Sequence, residues 1–148
     1  MYSYLESPMP VPLDVAAPIL ELPMAGVSVH AGFPSPADDC VVDRLDIMSL
    51  LVKHPQATIF WRVRGDSMRD AGIEDGCIIV VDRAIRPKHG CIVLALVESE
   101  CTVKYLHQHG RSMKLRAANP TYPDIVPKDN QSIEVWGVVR GCVKLFVT

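Results

Sequence analysis

The order of apolar and polar positions after residue 56 predicts a mainly β chain. Runs rich in Val, Ile and Leu are bounded by Gly, Pro, Asp and Asn, and most of them are too short for a typical helix. The predicted strands are 57–63, 77–81, 91–97, 101–106, 112–117 and 132–147, the last with a break near Gly141. Turn pairs such as Asp75-Gly76 and Asn119-Pro120 separate these runs. Connections this short favour antiparallel pairing.

The first 31 residues follow a different pattern. Prolines recur there and interrupt any helix, which predicts an extended, mobile arm (Pro8, Pro10, Pro12, Pro18 and Pro23). Near the end of this arm Val27, Val29 and Ala31 alternate with polar residues, a period typical of a strand. We therefore expect an arm, residues 1–31, ahead of one folded domain, residues 32–148.

A short helix is expected between the arm and the strands. The apolar residues of segment 44–54 fit one face of a helix, and Pro55 would end it. Asp43 is the predicted N-cap, since its side chain can accept a hydrogen bond from the first free backbone N–H groups. The fold class is thus mainly β with one or two short helices.

Composition and charge exclude several classes of function. The 148 residues and 49% apolar content fit one domain with a real core. A net charge of -2 provides no electrostatic reason for binding nucleic acid, so protein partners are expected before DNA. No Gly-rich phosphate loop is present, and no apolar run reaches the ~20 residues that cross a bilayer. Neither a membrane anchor nor export is predicted.

The five cysteines predict a reducing compartment. Their number is odd, their spacing shows no pairs, and most of them lie in apolar runs (Cys40, Cys77, Cys91, Cys101 and Cys142). Such cysteines are typical of reduced core thiols in a cytoplasmic protein. We therefore expect no disulfide, no metal and no cofactor.

Two separated residues are candidates for catalysis. Ser67 follows an apolar run that breaks at Gly65, so it lies where a strand meets a turn. Serines in such turns usually bond to local backbone, and the signal alone is weak. Lys104 adds a second feature, because it shares a predicted strand face with Thr102 and Leu106. A serine and a buried lysine can form a catalytic dyad.

The proposed dyad requires a neutral lysine. Lysine removes a proton from serine only when its folded pKa lies well below the ~10.4 of the free side chain, and burial can lower it by up to ~3–5 units. The alternative is an exposed lysine on the wet face of an edge strand. The tight turn would also aim the backbone N–H groups of Ser67 and Asp66 at one point, where they could stabilise an oxyanion.

Several motifs in one order carry a resemblance. They are Gly65-Asp66-Ser67-Met68, Val80-Val81-Asp82-Arg83, Thr102-Val103-Lys104, Trp136-Gly137-Val138-Val139 and the segments 30–39 and 54–55. Together they resemble the UmuD/MucA-type proteins of the LexA-like self-cleaving serine peptidases. The resemblance implies a LexA-like, signal-peptidase-like β domain. It identifies Ser67 as nucleophile, Lys104 as general base and Ala31-Gly32 as the bond that is cut.

The resemblance also implies a cellular role and a set of partners. It predicts a role in the SOS response to DNA damage, with self-cleavage stimulated by a RecA filament. The trimmed chain would act as a homodimer and as the accessory subunit of an error-prone, UmuC-like translesion polymerase. The arm is too short for a preceding helix-turn-helix domain, so no direct sequence-specific DNA binding is expected.

Other sites and functions compete with this interpretation. His89 is an alternative base for Ser67, although it lies in a turn and has no evident orienting carboxylate. A metal site would draw on four residues that lack zinc-site spacing, namely Cys91, Cys101, His107 and His109. At the level of function, the alternative is a non-catalytic interaction module that binds polymerase and RecA. A signal-peptidase-like enzyme acting on other proteins is disfavoured, because no anchor is predicted.

Overall fold

The computed structural model describes residues 19–25, 29, 31–32 and 42–147. The chain divides into a small compact unit, Asp14–Leu51, and a larger one that includes Val52–Thr148. No helix in the described part of the chain combines the length and the apolar character needed to cross a bilayer.

The small unit contains a two-stranded antiparallel sheet. Strand β1, Leu22–Ala25, pairs with β2, Val42–Leu45, so that Pro23 lies opposite Arg44. Within the described residues β1 pairs only with β2, and an edge strand of this kind tolerates a proline. Arg44 also binds Glu21, through Nε to Oε2 at 3.3 Å and through Nη2 to the carbonyl oxygen at 3.0 Å. The arm is therefore extended at β1, as predicted, but it also pairs there with β2, which the proline pattern did not indicate. Residues 27, 28 and 30 of the predicted strand lie outside the described residues.

The helix of the small unit is shorter than predicted. Helix α1 spans Ile47–Leu51, because Arg44 and Leu45 belong to β2. Asp46 rather than Asp43 caps it, since Asp46 Oδ1 accepts a hydrogen bond from the Met48 N–H at 3.0 Å. The predicted N-cap was wrong because strand pairing continues past Asp43.

The larger unit is built on one antiparallel sheet of six strands, which confirms the mainly β prediction. Their order across the sheet is β3-β4-β8-β5-β6-β7. The strands are β3 Thr58–Arg62, β4 Ile78–Asp82, β5 Ile92–Val97, β6 Glu100–His109, β7 Ser112–Arg116 and β8 Ile133–Val143. Two 3-10 turns, Pro55–Ala57 and Arg69–Ala71, flank β3 and the segment that follows it. Each predicted strand after residue 56 is present, with ends that shift by a few residues.

The apolar core forms two clusters that follow the alternation of side chains. Leu94 of β5 joins one cluster, whereas its neighbours Val93 and Ala95 join the other. The first cluster also contains Met68 and Ile79, which lie beside the segment that carries Ser67. The turn that carries Ser67, residues 64–68, is therefore attached directly to the core.

Strand β8 carries two irregularities at the centre of the sheet. The register with β4 shifts between Val80 and Val81, and the register with β5 shifts between Leu94 and Ala95. Such bulges bend a strand and increase its twist. Gly137 lies between the two shifts, where a Cβ atom would come within 2.6 Å of Val81 Cγ1. This close approach requires glycine.

We expect Gly137→Ala to destabilise the domain by about 1–3 kcal/mol, because the added methyl group overpacks the contact between β8 and β4. Denaturant unfolding followed by circular dichroism would measure the loss. The matched control is the same substitution in a Val81→Ala background, which removes the clashing methyl groups and should absorb most of the effect. Equal unfolding free energies for Gly137→Ala and the wild type would contradict the packing argument.

Candidate active site

The turn that carries Ser67 begins where β3 ends. Val63 continues the pairing beyond the strand, since its N–H donates to the Cys77 carbonyl at 2.8 Å and its carbonyl accepts from the Gly76 N–H at 2.8 Å. Gly65 then adopts a φ of 88°, a left-handed conformation that favours glycine. Its N–H donates to Asp75 Oδ1 at 2.8 Å. The Asp75-Gly76 turn thus holds the chain just before the serine.

Lys104 reaches Ser67 from the middle of β6. It lies opposite Val93 of β5 and is only 7% exposed. Its Nζ lies 2.9 Å from Ser67 Oγ, 2.8 Å from Thr102 Oγ1 and 3.1 Å from the Val103 carbonyl oxygen. The structure therefore brings together the serine and the lysine that sequence reasoning singled out, and it buries the lysine.

Burial changes the pKa of this lysine. Desolvation lowers the pKa of Lys104 below the ordinary value of a lysine. In the described part of the chain, no carboxylate forms an ion pair with Lys104 that would offset this effect. In the structure Lys104 Nζ donates to Ser67 Oγ. Once neutral, the same amine has a lone pair that can accept the hydroxyl proton across this contact, which is the direction that serine activation needs.

Ser67 lines a cleft of about 1000 Å³, together with Thr102 and Val103, the two residues that precede Lys104. One wall is formed by residues 61–65 and the other by residues 98–103, while Met68, Ile79 and Leu94 contribute apolar surface. Strand β7 pairs with only the second half of β6, from Tyr105 to His109. The first half of β6 borders the cleft and has no strand partner on that side among the described residues. A cleft with an open strand edge suits an extended peptide.

A second loop, residues 119–122, contacts the turn that carries Ser67 through Asp66. Asn119 Nδ2 donates to the Asp66 carbonyl oxygen at 3.1 Å, and Tyr122 Oη donates to Asp66 Oδ1 at 2.6 Å. The bond to this carboxylate raises the pKa of Tyr122. Among the residues that the structure describes, no atom accepts a hydrogen bond from the N–H of Asp66 or Ser67. Sequence reasoning missed both loop residues, because Asn119-Pro120 indicated only a turn.

Comparison with known proteins identifies the family. The model described as Peptidase S24-like matches residues 23–140. The chain belongs to the Peptidase S24-like family.

Individual relatives of this S24-like chain agree with the resemblance found in the motifs. Protein MucA of Salmonella typhimurium is 40% identical over 84% of this chain and 85% of its own length. Protein ImpA of Shigella flexneri is 39% identical over 82% of each chain. The LexA repressor of Shewanella woodyi is 36% identical over 83% of this chain and 60% of its own length. The predicted similarity to MucA-type and LexA-like proteins is confirmed.

The structure also shows where the alternative base, His89, and the candidate metal ligands lie in this S24-like chain. His89 Nδ1 accepts a hydrogen bond from the Gln108 N–H at 3.1 Å, and its ring lies 5.0 Å from that of His107 and 4.7 Å from that of His109. Lys104, not His89, contacts Ser67. Within the described ranges, no group of three or more His, Cys, Asp or Glu side chains is arranged to hold a metal ion.

The cysteines and the predicted scissile bond lie elsewhere. Cys77, Cys91, Cys101 and Cys142 are free thiols, and Cys40 lies outside the described residues. Ala31 and Gly32 form an exposed bend in the small unit. Cleavage between them remains a prediction.

The lowered pKa of Lys104 leads to a test on stability. Below its folded pKa the lysine is charged in both states, and the folded state bears the full cost of burying that charge. The cost disappears as pH rises from the folded pKa to the ~10.4 of the unfolded chain. We therefore expect the unfolding free energy of the wild type to rise relative to that of Lys104→Met across this window. Parallel denaturant titrations from pH 7 to 11 would measure it, and a constant difference would contradict the lowered pKa.

Proposed function

We propose that this S24-like chain is a serine endopeptidase that cuts its own Ala31-Gly32 bond with a Ser67–Lys104 dyad. The observation that carries the proposal is the 2.9 Å contact between Ser67 Oγ and the Nζ of a lysine that is only 7% exposed. The family match supports a serine peptidase of this type.

In the proposed reaction, neutral Lys104 takes the proton of Ser67 as Oγ attacks the carbonyl carbon of Ala31. The N–H groups of Ser67 and Asp66 stabilise the oxyanion of the tetrahedral intermediate. The C–N bond then breaks, Lys104 returns its proton to the amine of Gly32, and Ala31 remains as an ester on Ser67. Water hydrolyses this ester with Lys104 again as the base. Thr102 Oγ1 and the Val103 carbonyl orient the amine.

The proposed substrate segment matches the cleft in shape. Alternating side chains at Val27, Val29 and Ala31 fit a strand added to the open edge of β6, which borders the cleft. A small side chain at Ala31 needs little space, and Gly32 lets the backbone pass close to Ser67. Docking of this kind would present the bond to the dyad without any change in the sheet.

We place this reaction in the SOS response to DNA damage. The similarity to MucA and ImpA and the motif resemblance to UmuD-type proteins support this role. In the proposal, a RecA filament stimulates cleavage in the cytoplasm. The trimmed chain, residues 32–148, then acts as a homodimer and as the accessory subunit of a UmuC-like translesion polymerase.

Replacing either member of the dyad should abolish self-cleavage, because neither residue activates the reaction alone. Ser67→Ala and Lys104→Met are the test variants. Ser112→Ala and Lys128→Met change the same residue types at exposed positions outside the cleft and should cut normally. Intact-mass spectrometry after incubation with active RecA filaments would show the loss of residues 1–31. Uncut wild-type chain under these conditions would favour the non-catalytic interaction module, and cutting by both test variants would reject the dyad.

The rate of spontaneous cleavage should depend on pH as a lysine base requires. Below the lowered pKa of Lys104 the neutral fraction, and with it the rate, should rise about tenfold per pH unit and then level off. If the folded pKa of Lys104 lies above neutrality, a RecA filament that favours the docked arm should stimulate most near pH 7, because the arm excludes water from the amine and lowers its pKa further. First-order loss of the 148-residue species, followed from pH 6 to 11, provides the measurement. A profile that is flat or falls above pH 7 in folded protein would exclude the lysine base.

A further inference from the structure

Asn119 is a buried polar residue for which the proposed mechanism has no role yet. It is 3% exposed, and both ends of its amide have partners. The Oδ1 atom accepts from the Thr121 N–H at 3.1 Å and from Thr121 Oγ1 at 2.9 Å, while Nδ2 donates to the Asp66 carbonyl oxygen at 3.1 Å. Because two donors face Oδ1 and a carbonyl faces Nδ2, the orientation of the amide is determined.

The carbonyl that Asn119 binds belongs to the peptide group that carries the Ser67 N–H. The same oxygen also accepts from the Arg69 N–H at 3.2 Å, so both of its lone pairs are engaged. This peptide group is trans, since no cis bond occurs in the described part of the chain, and its C=O and N–H therefore point in opposite directions. With its oxygen held by Asn119 and Arg69, the Ser67 N–H is aimed away from both.

The Ser67 N–H forms no hydrogen bond to any described residue, although it lies beside a side chain that lines the cleft. An N–H that is held in direction but not engaged is what oxyanion stabilisation requires, because such donors act by being oriented before the reaction. Hydrogen bonds to the carbonyl also polarise the peptide group and strengthen its N–H as a donor.

We propose that Asn119 is a positioning residue that orients the oxyanion-binding N–H of Ser67 through the Asp66 carbonyl. The inference rests on the proposed peptidase function and adds a residue to it. Among the described residues, loss of the Asn119 amide would leave the Arg69 N–H as the one donor to the Asp66 carbonyl, and the peptide could then rotate. The dyad would remain, since the described partners of Lys104 Nζ are Ser67, Thr102 and Val103.

Tyr122 offers a matched control in the same loop. Its hydroxyl binds the Asp66 carboxylate and not the carbonyl, so Tyr122→Phe weakens the contact between loop and turn while leaving the peptide oxygen held. A general loosening of the loop would affect the Asn119 and Tyr122 variants alike. An effect on the orientation of the peptide would appear only in the Asn119 variants.

The experiment compares self-cleavage rates from pH 7 to 11 for the wild-type chain, Asn119→Ala, Asn119→Asp, Tyr122→Phe and Ser67→Ala. The Asp variant keeps the size of the side chain but loses the donor, so it serves if the Ala variant unfolds. We expect the plateau rate of the Asn119 variants to fall by about 10–100-fold, somewhat less than the loss of an oxyanion donor itself. The pH midpoint should not move, and Tyr122→Phe should stay within about threefold of the wild type.

A second measurement separates chemistry from folding. Labelling of Ser67 by a fluorophosphonate forms a tetrahedral adduct, and its rate, scaled to the folded fraction from circular dichroism, should fall with the plateau. An unchanged plateau, a shifted midpoint, or an equal loss in Tyr122→Phe would overturn the inference. Failure of the proposed function looks different, because then the wild type would not cut, or Ser67→Ala would.

Discussion

The site depends on one unfavourable interaction, the burial of a lysine that has no carboxylate partner among the described residues. Desolvation lowers the pKa of Lys104, and no ion pair in the described part of the chain offsets it. The packing of β6 and its neighbours must offset the free energy of desolvating the amine. This packing holds Nζ against Ser67 Oγ, Thr102 Oγ1 and the Val103 carbonyl. A fully solvated lysine at this position would keep an ordinary pKa and would be a poorer candidate for the general base that we propose.

The sheet supplies the rigidity that this burial needs. Lys104 lies opposite Val93 of β5, which is completely buried, and β5 pairs in turn with β8 at the centre of the sheet. The register shifts along β8 and the close contact at Gly137 curve this part of the sheet without opening it. Met68 follows Ser67 and belongs to the same core cluster as Ile79 of β4, so the turn that carries Ser67 packs directly against the sheet.

The turn that carries Ser67 is held from two directions by residues distant in sequence. Asp75 binds the Gly65 N–H on one side, and Asn119 and Tyr122 bind Asp66 on the other. Each contact satisfies a polar group of the turn that would otherwise need water. Ser67 itself still lines the cleft, and its backbone N–H has no acceptor among the described residues. The tight turn therefore combines restraint with access.

The strands after residue 56 follow from the sequence alone, because alternation and turn chemistry are local properties of the chain. The break at Gly65 and the motif order were also enough to indicate Ser67, Lys104 and the family. Other features arise only from contacts within the folded chain. Pairing between β1 and β2 prevails over the proline pattern, and Asp46 becomes the cap because strand pairing continues past Asp43. Asn119 and Tyr122 reach Asp66 across 53 and 56 residues, a contact that no local periodicity encodes. Lys104 becomes buried, and its pKa is lowered, only once β5, β6 and the turn that carries Ser67 have come together.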